Sequence, residues 1–155
     1  MSGVLEQRLM GDHPRIDELF RSHRFALLDR DLDLARERFG VFQSTLLAHL
    51  EFEEDEILPL YERHAAADTN SPPEQFRKEH AKLRELCRKI RTRLESIGNG
   101  HAQVLDLLDT EVFLRSLLEH HDLREGSILY PRLSEMLGDE EQERLVALHD
   151  RQPNR

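Results

Sequence analysis

The chain has 155 residues, of which 34% are charged, 38% hydrophobic and 6% aromatic, and its formal net charge is -9. This length suits one domain with one core, and the low glycine content together with the absence of tryptophan favours helices over sheets. The 31 acids against 22 bases argue against binding to nucleic acid or to an anionic membrane, because phosphate binding needs a basic surface.

Cysteine usage and the lengths of the apolar runs narrow the class further. Cys87 is the single cysteine, which excludes an intrachain disulfide and any thiolate-based zinc or iron–sulfur site within one chain. Its place on an apolar helix face predicts a packed thiol. No apolar run approaches the roughly 20 residues that cross a bilayer, and the start lacks a signal-peptide pattern. We therefore expect a cytoplasmic protein with no membrane contact.

The first half of the chain predicts two helices from apolar residues at helical spacing. The first covers about residues 13–30 and the second about residues 32–64. Pro59 lies near the end of the second helix, where a proline is expected to kink or loosen the last turn. The pattern then stops in residues 65–74, "AAADTNSPPE".

The second half predicts two more long helices and a short one. Ser71 and Glu74 have the spacing of a capping box, which predicts a helix start, and "GNG" at residues 98–100 predicts its end. A fourth helix is expected at about residues 102–137 and a fifth at about residues 139–149, after Gly138.

These elements predict an all-α fold, an antiparallel up-down four-helix bundle with a short C-terminal helix, since short connections join amphipathic helices. We expect the bundle at about residues 9–137 of a single domain, residues 1–155.

An internal repeat links the second and fourth helices. "HLEFEEDEILP" at residues 49–59 and "HDLREGSILYP" at residues 121–131 both have His, then Glu four residues later, then Pro six residues after that Glu. The two helices therefore present the same pair of side chains.

The repeated glutamates stand out by the helix face that they occupy. Four of the histidines have an acid four residues later, which is close to chance in so acidic a chain. Asp17, the acid after His13, lies off the apolar face and Asp68, the acid after His64, falls in a loop, whereas Glu53 and Glu125 share faces with Phe, Leu and Ile. Burying an ionised carboxylate without a partner is costly, so two such groups inside a bundle predict a bound cation.

The donor set predicts the class of metal. Each of the four long helices offers one inward histidine, and the full predicted set is His13, His49, Glu53, His80, His121 and Glu125. Four imidazoles and two carboxylates are too many for one tetrahedral zinc and too rich in nitrogen for calcium or magnesium. Two transition-metal ions bridged by carboxylates fit best, with iron the commonest choice for such ligands.

On these motifs the sequence resembles the hemerythrin-like family, also called the HHE cation-binding domain, over about residues 9–137. "DHPRIDELF", "HLEFEEDEILP", "EHAKLRE" and "HHDLREGSILYP" are similar to its four ligand helices. The resemblance implies a non-haem centre of two iron ions, bridged by the two glutamates and by an oxo or hydroxo group. It also implies that the first two histidines in chain order bind one iron and the last two the other.

The third helix departs from the family's oxygen carriers, which have two histidines there, four residues apart. Here Phe76 and Arg84 stand four residues before and after His80. The chain therefore matches the subgroup with the order His, His-x-x-x-Glu, His, His-x-x-x-Glu. Water, a substrate or a neighbouring acid, of which Glu54 is the candidate, could fill the vacant position.

Other residues near the predicted site leave alternatives open. His120 is the alternative to His121, although the alignment on the prolines favours His121. His23 is expected at the surface, and replacing His64 or His149 is expected to leave metal binding unchanged. The sequence does not define the direction of the Tyr130 hydroxyl.

Three functions follow as hypotheses. The centre could bind oxygen, nitric oxide or peroxide in sensing, storage or detoxification. It could be a redox enzyme that acts on these molecules, or an iron donor for cluster repair. It could also be an iron-dependent stability switch, because metal binding contributes folding free energy. The sequence leaves open which of these applies, whether the chain is an enzyme, and its oligomeric state.

Overall fold

A computed structural model describes residues 3–65 and 70–153 of the chain. In these residues every regular element is helical. The α-helices are α1 Val4–Leu28, α2 Leu32–Phe52, α3 Leu58–Ala65, α4 Pro73–Ser96, α5 His101–Arg124, α6 Tyr130–Met136 and α7 Asp139–Asp150. Two π-helical turns, Glu53–Ile57 and Glu125–Leu129, join α2 to α3 and α5 to α6.

Four long helices form an antiparallel bundle. Helix α1 packs against α2 and α5, and α4 packs against the same two helices from the opposite corner. Pairs of residues in contact run in opposite directions along neighbouring helices: Asp12 meets His49 whereas His23 meets Ala35. The predicted all-α bundle is therefore confirmed, and α7 adds a short helix against α1.

A tight connection sets the α1–α2 pair. Arg30 has a φ of 57°, in the left-handed region. Its amide donates to the carbonyl of Leu27, and the next amide, of Asp31, donates to that of Ala26. This is the hydrogen-bond pattern of a Schellman motif, here with arginine at the position that usually holds glycine. The Asp31 side chain then caps α2 by accepting from the Leu34 amide.

Two predicted helix starts differ from the structure. Helix α1 begins at Val4, nine residues before the predicted start, because Leu5 and Leu9 extend its buried face past Pro14, which stays inside the helix. The capping box at Ser71 is wrong, since α4 begins at Pro73 with Pro72 at its cap and no side-chain cap hydrogen bond. Ser71 instead accepts hydrogen bonds from Tyr61 and from Arg124.

The repeated prolines follow repeated π turns. The amide of Leu58 donates to the Glu53 carbonyl, and the amide of Tyr130 donates to the Glu125 carbonyl, each five residues back. A five-residue bond inserts one residue into the helix and rotates everything after it. Pro59, where the sequence predicts a kinked or loosened last turn, lies inside α3, and the irregular turn comes before it. The predicted loop residue Asp68, four after His64, lies outside the described residues.

Two apolar clusters lie on either side of the four inward histidines. One fills the bundle towards the α1–α2 connection and includes Phe20, Phe39, Phe42, Leu83 and Leu114. The other fills the end beneath α6 and α7 and includes Leu9, Phe52, Ile57, Leu133 and Leu145. None of the described helices combines the length and the apolarity needed to cross a bilayer.

Candidate metal centre

The structure brings all six predicted ligand residues together in the middle of the bundle. His13 comes from α1, His49 from α2, His80 from α4 and His121 from α5, and the two glutamates begin the two π turns. His13 is 7% exposed and His49 4%, while the other four are at most 1% exposed. We call these six residues the His/Glu cluster.

One half of the cluster collects around the Oε1 atoms of the two glutamates. Nε2 of His13 lies 3.2 Å from Oε1 of Glu125, and Nε2 of His49 lies 3.3 Å from Oε1 of Glu53 and 3.7 Å from Oε1 of Glu125. His13, His49 and Glu125 can offer three ligand atoms that lie within 4.8 Å of one another.

The other half collects around the Oε2 atoms. Nε2 of His80 lies 3.3 Å from Oε2 of Glu53, and Nε2 of His121 lies 3.1 Å from Oε2 of Glu125. These two residue pairs also form a four-residue group with ligand atoms within 4.8 Å of one another.

The four facing atoms of this second half lack hydrogen-bond partners. In the described part of the chain, Oε2 of Glu53 and Glu125 and Nε2 of His80 and His121 are buried without a hydrogen bond. A buried polar atom without a partner costs about 1–3 kcal/mol. Four such atoms facing one another match the donor set of a metal ion, because a cation would satisfy all of them together.

Tyr130 stands between the two carboxylates on the Oε1 side. Its hydroxyl donates to Oε1 of Glu53 and lies 3.1 Å from Oε1 of Glu125 and 3.2 Å from Nε2 of His13. In a π turn the fifth residue on lies one turn further along nearly the same face, so the π turn itself aims Tyr130 at Glu125. Burial and the charges of Glu125 and Glu53 raise the pKa of Tyr130 well above its usual value.

Three carboxylates orient three of the imidazoles. Nδ1–H of His49 donates to Asp12 at 2.9 Å, that of His80 to Glu54 at 3.0 Å and that of His121 to Glu79 at 3.1 Å. We call Asp12, Glu54 and Glu79 the anchoring carboxylates. A proton held on Nδ1 leaves Nε2 free to bind a metal, which is the usual arrangement around metal-bound histidines.

Each anchoring carboxylate is itself held by a second group. Asp12 accepts from Nε2 of the buried His149 on α7 at 2.7 Å. The other two pair with arginines: Arg84 donates to both oxygens of Glu54, at 2.6 and 2.8 Å, and Nε of Arg124 lies 3.2 Å from Glu79.

The charges of the cluster are strongly coupled. Burial alone would lower the pKa of His121, but the nearby charge of Glu125 raises that pKa to about 10. Burial lowers and the Glu53 charge raises the pKa of His49, with a net rise well above the usual value. Burial would raise the pKa of Glu125, yet His121 and the other neighbours hold it well below its usual range. The site therefore favours positive charge.

Several expectations about neighbouring residues are corrected. His23, expected at the surface, is fully buried: its Nδ1–H donates to the Ala35 carbonyl at 2.8 Å, and its Nε2 is hydrogen-bonded to the buried Glu111. His149, whose replacement the sequence predicts to leave metal binding unchanged, is fully buried and linked to His49 through Asp12. His120 is exposed, so His121 is the one that joins the cluster.

The anchoring carboxylates have a sequence signal that was overlooked. Asp12 precedes His13, Glu54 follows Glu53 and Glu79 precedes His80. Each acid thus adjoins one member of the cluster but holds a histidine on the next helix of the bundle. Glu54, the candidate for an additional ligand, lies on the Nδ1 side of His80, away from the facing Nε2 atoms.

Comparison with known proteins identifies the family. The family model described as the Hemerythrin HHE cation binding domain matches residues 4–133 and again residues 71–152. The overlap of the two matches is consistent with the internal repeat, because the second begins just before α4. Comparisons with curated proteins and with solved structures yield no significant match. The first match covers most of the chain, and the protein therefore belongs to the hemerythrin HHE cation-binding family.

Proposed function

We propose that this chain binds two iron ions, bridged by Glu53 and Glu125, and that the centre reacts with oxygen or a related small oxidant such as nitric oxide or peroxide. The observation that carries the proposal is the division of the carboxylate oxygens. Both Oε1 atoms face one histidine pair, and both Oε2 atoms face the other. One cation cannot satisfy both sets.

The donor atoms support iron. The cluster offers imidazole nitrogens and carboxylate oxygens, and the single cysteine, Cys87, is buried in the neighbouring apolar cluster. This mixture suits iron and similar transition ions. Iron bound here would supply Lewis acidity and one-electron redox chemistry.

The chain itself would orient the imidazole ligands, exclude bulk water and supply a hydroxyl group that can donate a hydrogen bond. The anchoring carboxylates hold Nδ1 of His49, His80 and His121, so their imidazoles are already turned towards the site. The two apolar clusters keep bulk water away from the carboxylates. Tyr130 keeps a hydroxyl proton at the Oε1 side, where it can hydrogen-bond a small molecule.

An open coordination position supports a reaction over simple reversible carriage. Each ion would receive two imidazoles and one oxygen from each glutamate, which leaves room for an exchangeable ligand. Phe76 packs its ring against His121, and Arg84 is paired with Glu54, so neither completes the coordination.

A second candidate function is an iron-dependent stability switch. The four buried atoms without hydrogen bonds favour it, because a metal ion would remove their cost and so stabilise the folded chain.

We also propose that residues 1–155 form one domain, since α7 packs on α1 and its His149 is hydrogen-bonded to Asp12.

The test begins with protein purified without air and titrated with ferrous iron. We expect about two irons per chain, a visible absorption band after exposure to oxygen, and turnover of peroxide or nitric oxide in stopped flow. His49→Ala should lose iron, whereas His64→Ala, a change at an exposed histidine of α3, should not. A reversible oxygen spectrum without turnover would favour carriage. The proposal would be refuted if the wild-type protein bound no metal, remained colourless and was equally stable with and without added iron.

A further inference from the structure

Two surface clefts reach the His/Glu cluster from opposite sides of α1. A groove between α1 and α5, with a volume of about 470 Å³, extends from Met10 and Leu123 to His13 and Asp122. A second cleft, of about 550 Å³, lies between α1, α2 and the C-terminal end and extends to Asp12 and His49. Small molecules could approach the cluster through either one.

The two clefts lead to different ring nitrogens of the histidines that they reach. In the second cleft the approach is to Nδ1 of His49, which already donates to Asp12. In the α1–α5 groove, Oδ1 of Asp122 lies 3.7 Å from Nε2 of His13, the nitrogen that faces Glu125. The α1–α5 groove therefore opens on the side of the cluster where a metal ion and its ligand would sit.

Asp122 differs from the three anchoring carboxylates. Like them it adjoins a cluster residue, His121, and lies near a histidine on the next helix, His13. It approaches Nε2 rather than Nδ1, however, and in the described part of the chain no hydrogen bond holds it. Its side chain is 30% exposed at the floor of the groove. Its ion pair with His13 is long, at 3.7 Å, so the carboxylate can also meet a molecule that enters the groove.

We propose that the α1–α5 groove is the entrance to the centre and that Asp122 contacts the entering molecule, favouring a small neutral hydrogen-bond donor, such as hydrogen peroxide, over an anion. The inference rests on the proposed function and adds its substrate class. A carboxylate only accepts hydrogen bonds, so it can bind the O–H of peroxide. The same charge repels an anion a few ångströms away in this partly buried place.

The lining of the groove agrees with a neutral ligand. Pro14, Ile16, Phe20 and Leu118 contribute most of its apolar wall. Apolar walls lower the effective dielectric constant, which strengthens the repulsion between Asp122 and an anion. The charged residues of the lining besides Asp122 are Asp17, Arg115 and Glu119, and Arg115 pairs with Glu119 at 3.1 Å, so these three add net negative charge that further disfavours an anion.

Azide at pH 8 is the anionic probe for the test, and hydrogen peroxide is the neutral one. Stopped-flow spectroscopy of the two-iron protein gives the azide association rate and dissociation constant, and oxygen release gives kcat and KM for peroxide. Asp122→Asn keeps the shape and removes the charge, and Asp109→Asn makes the same change at an exposed site of α5. Leu123→Trp fills the groove, and Thr45→Trp fills the second cleft.

We expect Asp122→Asn to tighten azide binding about tenfold, because the charge that repels the anion is removed. The same change should lower kcat/KM for peroxide about tenfold, because the charge that attracts its O–H group is lost. Asp109→Asn should change neither. Leu123→Trp should slow azide association several-fold at unchanged iron content, and Thr45→Trp should not.

Four results would overturn the inference. If wild type binds two irons and Asp122→Asn binds azide as wild type does, Asp122 does not select the ligand, while the proposed function stands. If Asp122→Asn loses iron, Asp122 holds metal instead. If only Thr45→Trp slows association, the entrance is the second cleft. If wild type binds no iron, the proposed function fails and the inference fails with it.

Discussion

Asp12, which links α7 to the His/Glu cluster, provides the most specific test of the role of the anchoring carboxylates. Asp12 accepts hydrogen bonds from both His49 and His149, and these bonds lower its pKa below its usual value although burial would raise it. In the proposed two-iron centre, replacing Asp12 should therefore weaken binding of the iron next to His49. The iron proposed beside His80 and His121 would keep its own anchors, Glu54 and Glu79.

The size of the effect follows from the hydrogen bond to His49, because only that bond orients a proposed iron ligand. Asp12→Asn keeps an acceptor oxygen but turns this charge-assisted bond of about 1.5–3 kcal/mol into a neutral one of about 0.5–1.5 kcal/mol. A loss of about 1–1.5 kcal/mol corresponds to roughly tenfold weaker binding of that iron. Asp12→Ala leaves Nδ1–H of His49 buried without an acceptor, so we expect a loss nearer 100-fold, the upper end for partners that orient a metal ligand.

Anaerobic titration with ferrous iron, followed by competition with a chelator, measures the two affinities separately. Glu18→Ala, an exposed acid on the same helix, is the control. We expect one unchanged affinity and one weakened affinity for Asp12→Ala, and two unchanged ones for Glu18→Ala. Two wild-type affinities in Asp12→Ala, or equal weakening of both, would refute the assignment of Asp12 to one half of the cluster.

Other parts of the chain give three further predictions. Burial raises the pKa of Cys87 to about 12, so at pH 8 the thiol is neutral and should not react with a thiol reagent until guanidinium unfolds the chain; fast labelling of the folded protein would contradict this. Tyr130→Phe removes the hydroxyl between the carboxylates and should lower the free energy of unfolding of the metal-free protein by about 1–3 kcal/mol, and less with iron bound, as guanidinium titrations of both forms can show. Glu111→Leu leaves Nε2 of buried His23 without its partner and should cost about 1–3 kcal/mol, whereas the double change with His23→Leu should recover most of that loss, with iron content unchanged throughout. Equal losses in the single and double variants would mean that the pair is not coupled.

The helices and the cluster residues could be predicted because both depend on local spacing. Apolar residues three and four apart define a helix face, and the repeat of His, Glu and Pro placed Glu53 and Glu125 on such faces. The structure buries both completely. The family match agrees with the resemblance that these motifs carry.

The missed features depend on contacts between helices. His23 lies near the predicted apolar face of the first helix, but the sequence does not show the partner that allows a histidine to be buried there, Glu111, 88 residues away. The link from His149 to Asp12 spans 137 residues. The π turns were also missed, because a single inserted residue hardly disturbs the apolar pattern, yet it redirects Tyr130 towards the cluster.

We propose that Glu53 and Glu125 each bind both iron ions. Crystals of the iron-loaded protein, with anomalous diffraction collected at the iron edge, test it most directly. We predict two anomalous peaks, one beside Nε2 of His13 and His49 and one beside Nε2 of His80 and His121, with both carboxylates between them. A single peak, or two peaks that share only one of the glutamates, would contradict it.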